Sequence, residues 1–168
     1  HCVHLEDEEW DCMHQTDSAI AFCPTSNLFL GSGLFPLKKT WDKGVKVGLG
    51  TDIGAGTSFN QLQTLNEAYK VQQLQDEKLS AFEALYHATL GGAKALSLDD
   101  RLGNFNIGKE ADFVVLNLNA TALQQLRQSR AKNIEDAFFA LTMLGDDRNI
   151  AATYVYGVAV YVKAAASE

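Results

Sequence analysis

The sequence predicts an α/β fold in which short buried strands alternate with helices, followed by a smaller β-rich unit. Three observations lead there. Apolar runs at residues 18–23 and 45–49 are each closed by turn formers, Pro24 in one case and Gly50 in the other. Segments of helical spacing surround them, the clearest repeating Leu62, Leu65, Ala68 and Tyr69. After Leu102 the pattern shifts to runs rich in Val, Tyr and Phe, at 111–118 and 153–162.

In chain order, residues 5–16 read as a helix, with Leu5, Trp10, Cys12 and Met13 on its apolar side. The acidic run Glu6-Asp7-Glu8-Glu9 reads as solvated charge at a helix start, where the macrodipole favours it. Ala19, Ile20, Ala21 and Phe22 form a strand buried in succession. Pro24-Thr25-Ser26-Asn27 then reads as a turn. Residues 34–43 form a helix closed by Gly44. Residues 45–49 form a second strand, followed by a loop with Gly50, Gly54 and Gly56. Residues 59–75 form a helix. Ser80 and Glu83 have the spacing of a capping box for another, running to Leu96. Residues 111–118 form a strand with Asp112 near its start. Residues 133–144 form a helix with Asn133 as N-cap and Gly145 past its end. Residues 153–162, around Gly157, form a strand pair or one bulged strand. The tail at 164–168 is expected to fray.

Alternating strands and helices are the pattern of βα units around a parallel sheet. A chain of 168 residues can bury a real core, and 46% apolar with 21% charged residues suits a globular protein. The net charge is -7, and Lys and Arg form no stripe. This argues against nucleic acid and anionic membrane as partners, and leaves a neutral small molecule open. No apolar run reaches the roughly 18 residues that span a bilayer. The odd set of three cysteines, Cys2, Cys12 and Cys23, has no framework spacing, so reduced, buried thiols in a cytoplasm are expected. The chain starts at His1 without an initiator Met and is expected to be part of a longer one.

Asp52 is the first candidate for chemistry. Val45-Lys46-Val47-Gly48-Leu49 runs straight into Gly50-Thr51-Asp52. A carboxylate at the C-terminal end of a parallel strand suits a metal ligand or proton acceptor, and the glycines let backbone approach a ligand closely. Asp is equally at home capping a turn. His1-Cys2-Val3-His4 suggests zinc, yet its spacing is too tight and incomplete for a structural site, and hydrogen-bonded structural histidines fit as well. Cys23-Pro24-Thr25-Ser26-Asn27 follows a strand and lies on the same strand-end face as Asp52. His14 and His87 read as surface or packed residues.

Taken in order, several segments resemble the amidohydrolase superfamily and its guanine deaminase branch. They are His1-Cys2-Val3-His4-Leu5, then Phe22-Cys23-Pro24-Thr25-Ser26-Asn27, then Gly48-Leu49-Gly50-Thr51-Asp52-Ile53-Gly54-Ala55-Gly56. Ala88-Thr89-Leu90-Gly91-Gly92-Ala93-Lys94-Ala95-Leu96 follows, and last comes Gly103-Asn104-Phe105-Asn106-Ile107-Gly108-Lys109-Glu110-Ala111-Asp112. Residues 24–35 and 54–60 resemble the bacterial guanine deaminases in particular.

The resemblance implies the C-terminal part of a (β/α)8 barrel, strands six to eight with their helices, plus strands of a small β domain. On it, His1 ends strand six, 18–23 is strand seven and 45–49 is strand eight. Residues 1–102 would be barrel, 103–118 a strand segment of the β domain, 119–150 helices packing on the barrel, and 151–168 terminal strands and tail. The implied reaction is hydrolytic deamination of guanine to xanthine by a metal-activated water, with zinc, or iron, as the metal. Asp52 would bind metal, take the water's proton and contact substrate. His1 would face the same water, and Asn27 is a candidate substrate contact. The family's His-x-His pair, its further metal histidine and its proton-shuttling glutamate lie on earlier strands and are not in these residues. The full-length protein is expected to be a cytoplasmic homodimer. The 168 residues alone are expected to be inactive, to bind metal weakly, and to oligomerise or need the missing part. Another deaminase or chlorohydrolase of the superfamily, or a metal-free scaffold, are the alternatives.

Overall fold

Two short parallel strands organise the first half of the chain. The computed structural model describes residues 1–164, so the end of the tail, 165–168, lies outside the described residues. Helix α1 (Asp7–Gln15) leads into β1 (Ala19–Phe22). A crossover through α2 (Pro24–Phe29) and α3 (Leu37–Asp42) brings β2 (Lys46–Leu49) alongside, as a parallel pair requires. The register pairs Ala19 with Lys46 and Phe22 with Leu49. Gly44, at φ +66°, ends α3 and sends its N–H back to Trp41 O.

Helices α4 (Gln61–Gln73), α5 (Ala81–Ala88) and α6 (Leu90–Ala95) follow. Asn60 caps α4, and Ser80 with Glu83 forms the expected capping box on α5. Beyond them lie β3 (Phe113–Leu116), α7 (Ala122–Gln128), α8 (Ile134–Leu144), β4 (Ile150–Val155) and β5 (Val158–Val162). Asn133 caps α8 as expected. Strands β3, β4 and β5 make an antiparallel sheet in that order. Tyr156 and Gly157, both at positive φ, turn the β4–β5 hairpin, and the register also slips between Thr153 and Tyr154.

The core lies between β1, β2 and the helices. Ile20 and Phe22 point into it, and Phe22 stacks on Phe35 at 4.6 Å between ring centroids. Trp10, Leu37, Val71 and Leu141 are among the fully buried side chains. Helix α8 packs on α4 and α5, and Tyr69 meets Phe139 edge-on.

Several expectations are corrected. Ala19 and Ala21 are exposed, because only one face of β1 is covered by helices. Pro24-Thr25-Ser26-Asn27 is not a free turn but the start of α2, where Pro24 needs no hydrogen-bonded N–H. The helix expected to run to Leu96 breaks at Thr89, whose φ and ψ are -129° and -99°. The break seats α6 against β2: a Cβ on Gly48 would lie 2.8 Å from Gly92 Cα. Of the thiols only Cys23 is buried. Cys2 is half-buried, and Cys12 is exposed because Trp10 fills the inward face of α1. The run Glu6-Asp7-Glu8-Glu9 is exposed at the α1 start, as expected, and Asp7 adds an ion pair that the sequence did not show. Asp7, Asp11 and Asp17 pair with Lys39, Lys43 and Lys46 at 2.8, 2.6 and 2.6 Å. The Lys39 ammonium holds the Asp7 carboxyl below its ordinary range.

Candidate functional site

The site forms where the parallel strands end. Gly50 N–H donates to Phe22 O at 2.9 Å, which carries the β1–β2 pairing one residue past β2. Gly50 also packs against Cys23, where a Cβ would lie 3.2 Å from Sγ. Burial raises the Cys23 thiol pKa, which keeps the group protonated and unreactive.

Asp52 itself sits at φ +49°, the left-handed region that Asp tolerates better than most residues. The loop after it closes on its backbone. Asp52 O accepts from Ala55 N at 3.2 Å and from Gly56 N at 2.6 Å. Gly56 has no room for a side chain, since a Cβ there would lie 1.9 Å from Thr51 O. The loop therefore fixes the backbone from which the Asp52 carboxylate projects.

Two side chains meet that carboxylate, and a third backs one of them. Ser26 Oγ donates to Asp52 Oδ2 at 2.6 Å, and His1 Nε2 lies 3.3 Å from the same oxygen. His1 Nδ1 meets Asn27 Oδ1 at 2.9 Å, and the His1 backbone nitrogen donates to Ala21 O at 2.8 Å. Among the described residues no hydrogen bond reaches Asp52 Oδ1. The group borders an open cleft of about 630 Å³ that His4, Leu30 and Ala55 also line.

The structure thus brings His1, Asp52 and Asn27, the three residues the resemblance singled out, together in space. It also brings in Ser26, which the sequence reading placed on the Asp52 face within Cys23–Asn27, either as part of a turn or in a substrate or supporting role, without singling it out. His4 stands apart from the carboxylate pair, with Nε2 on Ser32 O at 2.8 Å. His87 is buried away from the cleft, held by Val47 O and Trp41 Nε1. His14 is exposed beside Gly44 O.

A catalytic zinc site takes three protein ligands and keeps an open position. Among the described residues no group of three or more His, Cys, Asp or Glu is placed to hold a metal. Asp52, with one oxygen held by Ser26 and the other open, fits one side of such a centre. The donors of this chain do not make the whole of it. No helix among the described residues is long and apolar enough to cross a membrane.

A carboxylate and an imidazole meeting at the C-terminal ends of parallel strands stand where barrel enzymes place their catalytic groups. Residues 1–160 match the amidohydrolase family, and the chain belongs to it. It is similar to the guanine deaminase of Escherichia coli, at 66% identity over 161 residues, covering 96% of this chain and 37% of that protein. The solved structure of E. coli guanine deaminase superposes with a TM-score of 0.96 at 65% identity, covering 98% of this chain and 38% of that one. A guanine deaminase from C. acetobutylicum with guanine in its active site gives 0.83 at 32% identity, covering 96% and 38%. A zinc-bound adenosine deaminase from Xanthomonas campestris gives 0.81 at 26%, covering 96% and 36%. The chain spans little more than a third of each of these proteins.

Proposed function

We propose that these residues act as the C-terminal portion of a guanine deaminase, which hydrolyses guanine to xanthine and ammonia. The observation that carries this reading is the meeting of Asp52 and His1 at the strand ends, inside a stretch 66% identical to the E. coli guanine deaminase. On this reading residues 1–102 belong to the barrel, and β3, β4 and β5 to a small β domain.

In the reaction, water adds through its oxygen to the purine carbon that bears the exocyclic amine. The C–N bond then breaks, the carbon keeps the oxygen as a carbonyl, one water proton leaves with the amine as ammonia, and the other ends on the adjacent ring nitrogen. Asp52 would be this chain's ligand to a zinc ion whose other ligands lie outside these residues. Zinc, when bound, lowers the pKa of the attacking water toward neutrality. Asp52 receives the water's proton, with Oδ1 as the oxygen that no hydrogen bond reaches among the described residues. His1 presents Nε2 beside it and, with Nδ1 held by Asn27 and Nε2 protonated as well, offsets the negative charge that develops on the attacking oxygen. The three free thiols support a reducing, cytoplasmic setting.

The test is turnover by the whole protein, followed as xanthine absorbance and released ammonia. Asp52→Asn is expected to lower kcat by about 10²- to 10⁴-fold, the range for a lost acid–base group. Ammonia from adenine or a triazine but none from guanine would overturn the substrate assignment. A metal-free, inactive protein would favour the scaffold alternative.

A further inference from the structure

We propose that Ser26 and Asn27 are the positioning residues of this site. They act through Asp52 and His1 and do not touch substrate. The inference rests on the deaminase reading above.

The two residues are consecutive in the first turns of α2, yet they serve different partners. Ser26 Oγ donates to Asp52 Oδ2 at 2.6 Å, which occupies that oxygen and leaves Oδ1 without a hydrogen bond among the described residues. Asn27 Oδ1 accepts from His1 Nδ1 at 2.9 Å, which places a proton on Nδ1 and turns Nε2 to Asp52. A ring nitrogen held in this way by an outer partner sets which nitrogen does the chemistry. Both residues are fixed before any ligand arrives, with Ser26 0% and Asn27 2% exposed.

Burial separates this role from substrate contact. Asn27, the sequence's candidate substrate contact, borders the cleft with Ser26, yet it is only 2% exposed and its Oδ1 is taken by His1. Its Nδ2 is buried without a partner among the described residues. An amide left half satisfied weakens a fold, and a leucine there would avoid the cost. Asn27 Oδ1 bonded to His1 supplies a reason to keep the amide. Placement points the same way. Helix α2 follows β1, and β1 has His1 bonded to one edge, through Ala21 O, and β2 paired along the other. The two residues therefore leave the strand that lies between the groups they hold.

The experiment compares Ser26→Ala with Ser26→Thr, and Asn27→Leu with Asn27→Asp, in the whole zinc-loaded protein. Ser26→Ala and Asn27→Leu are expected to lower kcat by about 10- to 100-fold with KM within about twofold, and the hydroxyl- and acceptor-retaining variants to recover most of the loss. Thermal melts exclude variants that fail to fold, and the conservative pair then decides. Unchanged kcat in Ser26→Ala overturns the proposal for Ser26. A raised KM with intact kcat in the Asn27 variants makes Asn27 a substrate contact and overturns it there. Conservative variants as poor as the deletions overturn both. If the wild type turns over no guanine, the deaminase reading fails, and the positioning role is read from ¹⁵N-histidine spectra instead. There Asn27→Leu, but not Asn27→Asp, must shift the His1 ring nitrogens from the Nδ1–H form; no shift overturns it.

Discussion

Replacing Gly56 with alanine tests whether the loop after β2 controls the carboxylate. A Cβ at Gly56 would lie 1.9 Å from Thr51 O and 3.1 Å from Asp52 O. A carbon–oxygen contact needs about 3.3 Å, so the loop must open by roughly 1.4 Å. The nearest atoms are backbone, so no rotamer relieves the clash. The 2.6 Å bond from Gly56 N to Asp52 O cannot survive that opening. It is one of the bonds that hold Asp52 at φ +49°. A displacement of about 1 Å at a reacting group costs on the order of 100-fold in rate. Gly56→Ala is therefore expected to lower kcat with guanine by about 100-fold or more, with a stability loss of about 1–3 kcal/mol from overpacking. Gly108→Ala is the control: it carries the backbone strain of a positive φ, which Gly56 lacks, but nothing lies within 4 Å of its Cβ position. It is expected to keep its kcat. Steady-state kinetics and thermal unfolding on the same preparations decide. A Gly56→Ala protein with kcat within about threefold of wild type would refute the link between loop and carboxylate.

Three further outcomes are expected. Gly48→Ala must push α6 away from β2, because its Cβ would meet Gly92 Cα at 2.8 Å; a loss of about 1–3 kcal/mol in urea unfolding is expected, and a loss under about 0.5 kcal/mol would sink the close-packing account. Asn149 is fully buried and ties Asn117 O, Gln124 and the Asp146 N–H together, so Asn149→Ala should cost about 2–4 kcal/mol, read by the same unfolding curves. Burial lowers the His87 pKa below its ordinary 6.5, so the folded state holds the neutral ring. Its stabilisation is full above 6.5 and is lost as pH falls below 6.5 toward the lowered folded value, since the unfolded chain binds the proton first. His87→Gln should flatten the slope of stability against pH in that window, and an unchanged slope would count against the assignment.

Much of the fold was legible because its signals are local. The apolar runs ending at Pro24 and Gly50 gave both parallel strands. Asn60, Ser80 and Asn133 cap helices by bonds to their own next turn. The break at Thr89 was not legible, because it depends on Gly48 meeting Gly92, a contact between segments far apart in sequence. The one-sided burial of β1 escaped for a related reason: residue type does not say which sheet face the helices cover. At the site, Asp52 was ambiguous alone and gained weight only from the ordered motifs around it. Ser26 was not singled out within its segment because serine is ordinary in a turn, and its bond to Asp52 appears only once α2 and β2 are docked. His1 and Asn27 were singled out, but their mutual bond crosses from the chain start to α2.

The alternation of carbonyls along β1 sets the span that the chemistry must bridge. Phe22 O turns to β2 and Ala21 O to His1, so the backbones carrying the imidazole and the carboxylate run on opposite flanks of one strand. Neighbouring strands lie about 4.8 Å apart, which separates those flanks by roughly 10 Å. An imidazole reaching in from one bank and a short carboxylate from the other close that gap to 3.3 Å. The reach is matched to the width of the strand beneath. Lengthening either arm by one methylene, as in Asp52→Glu, would drive the two heads into each other or past each other while leaving their charges intact.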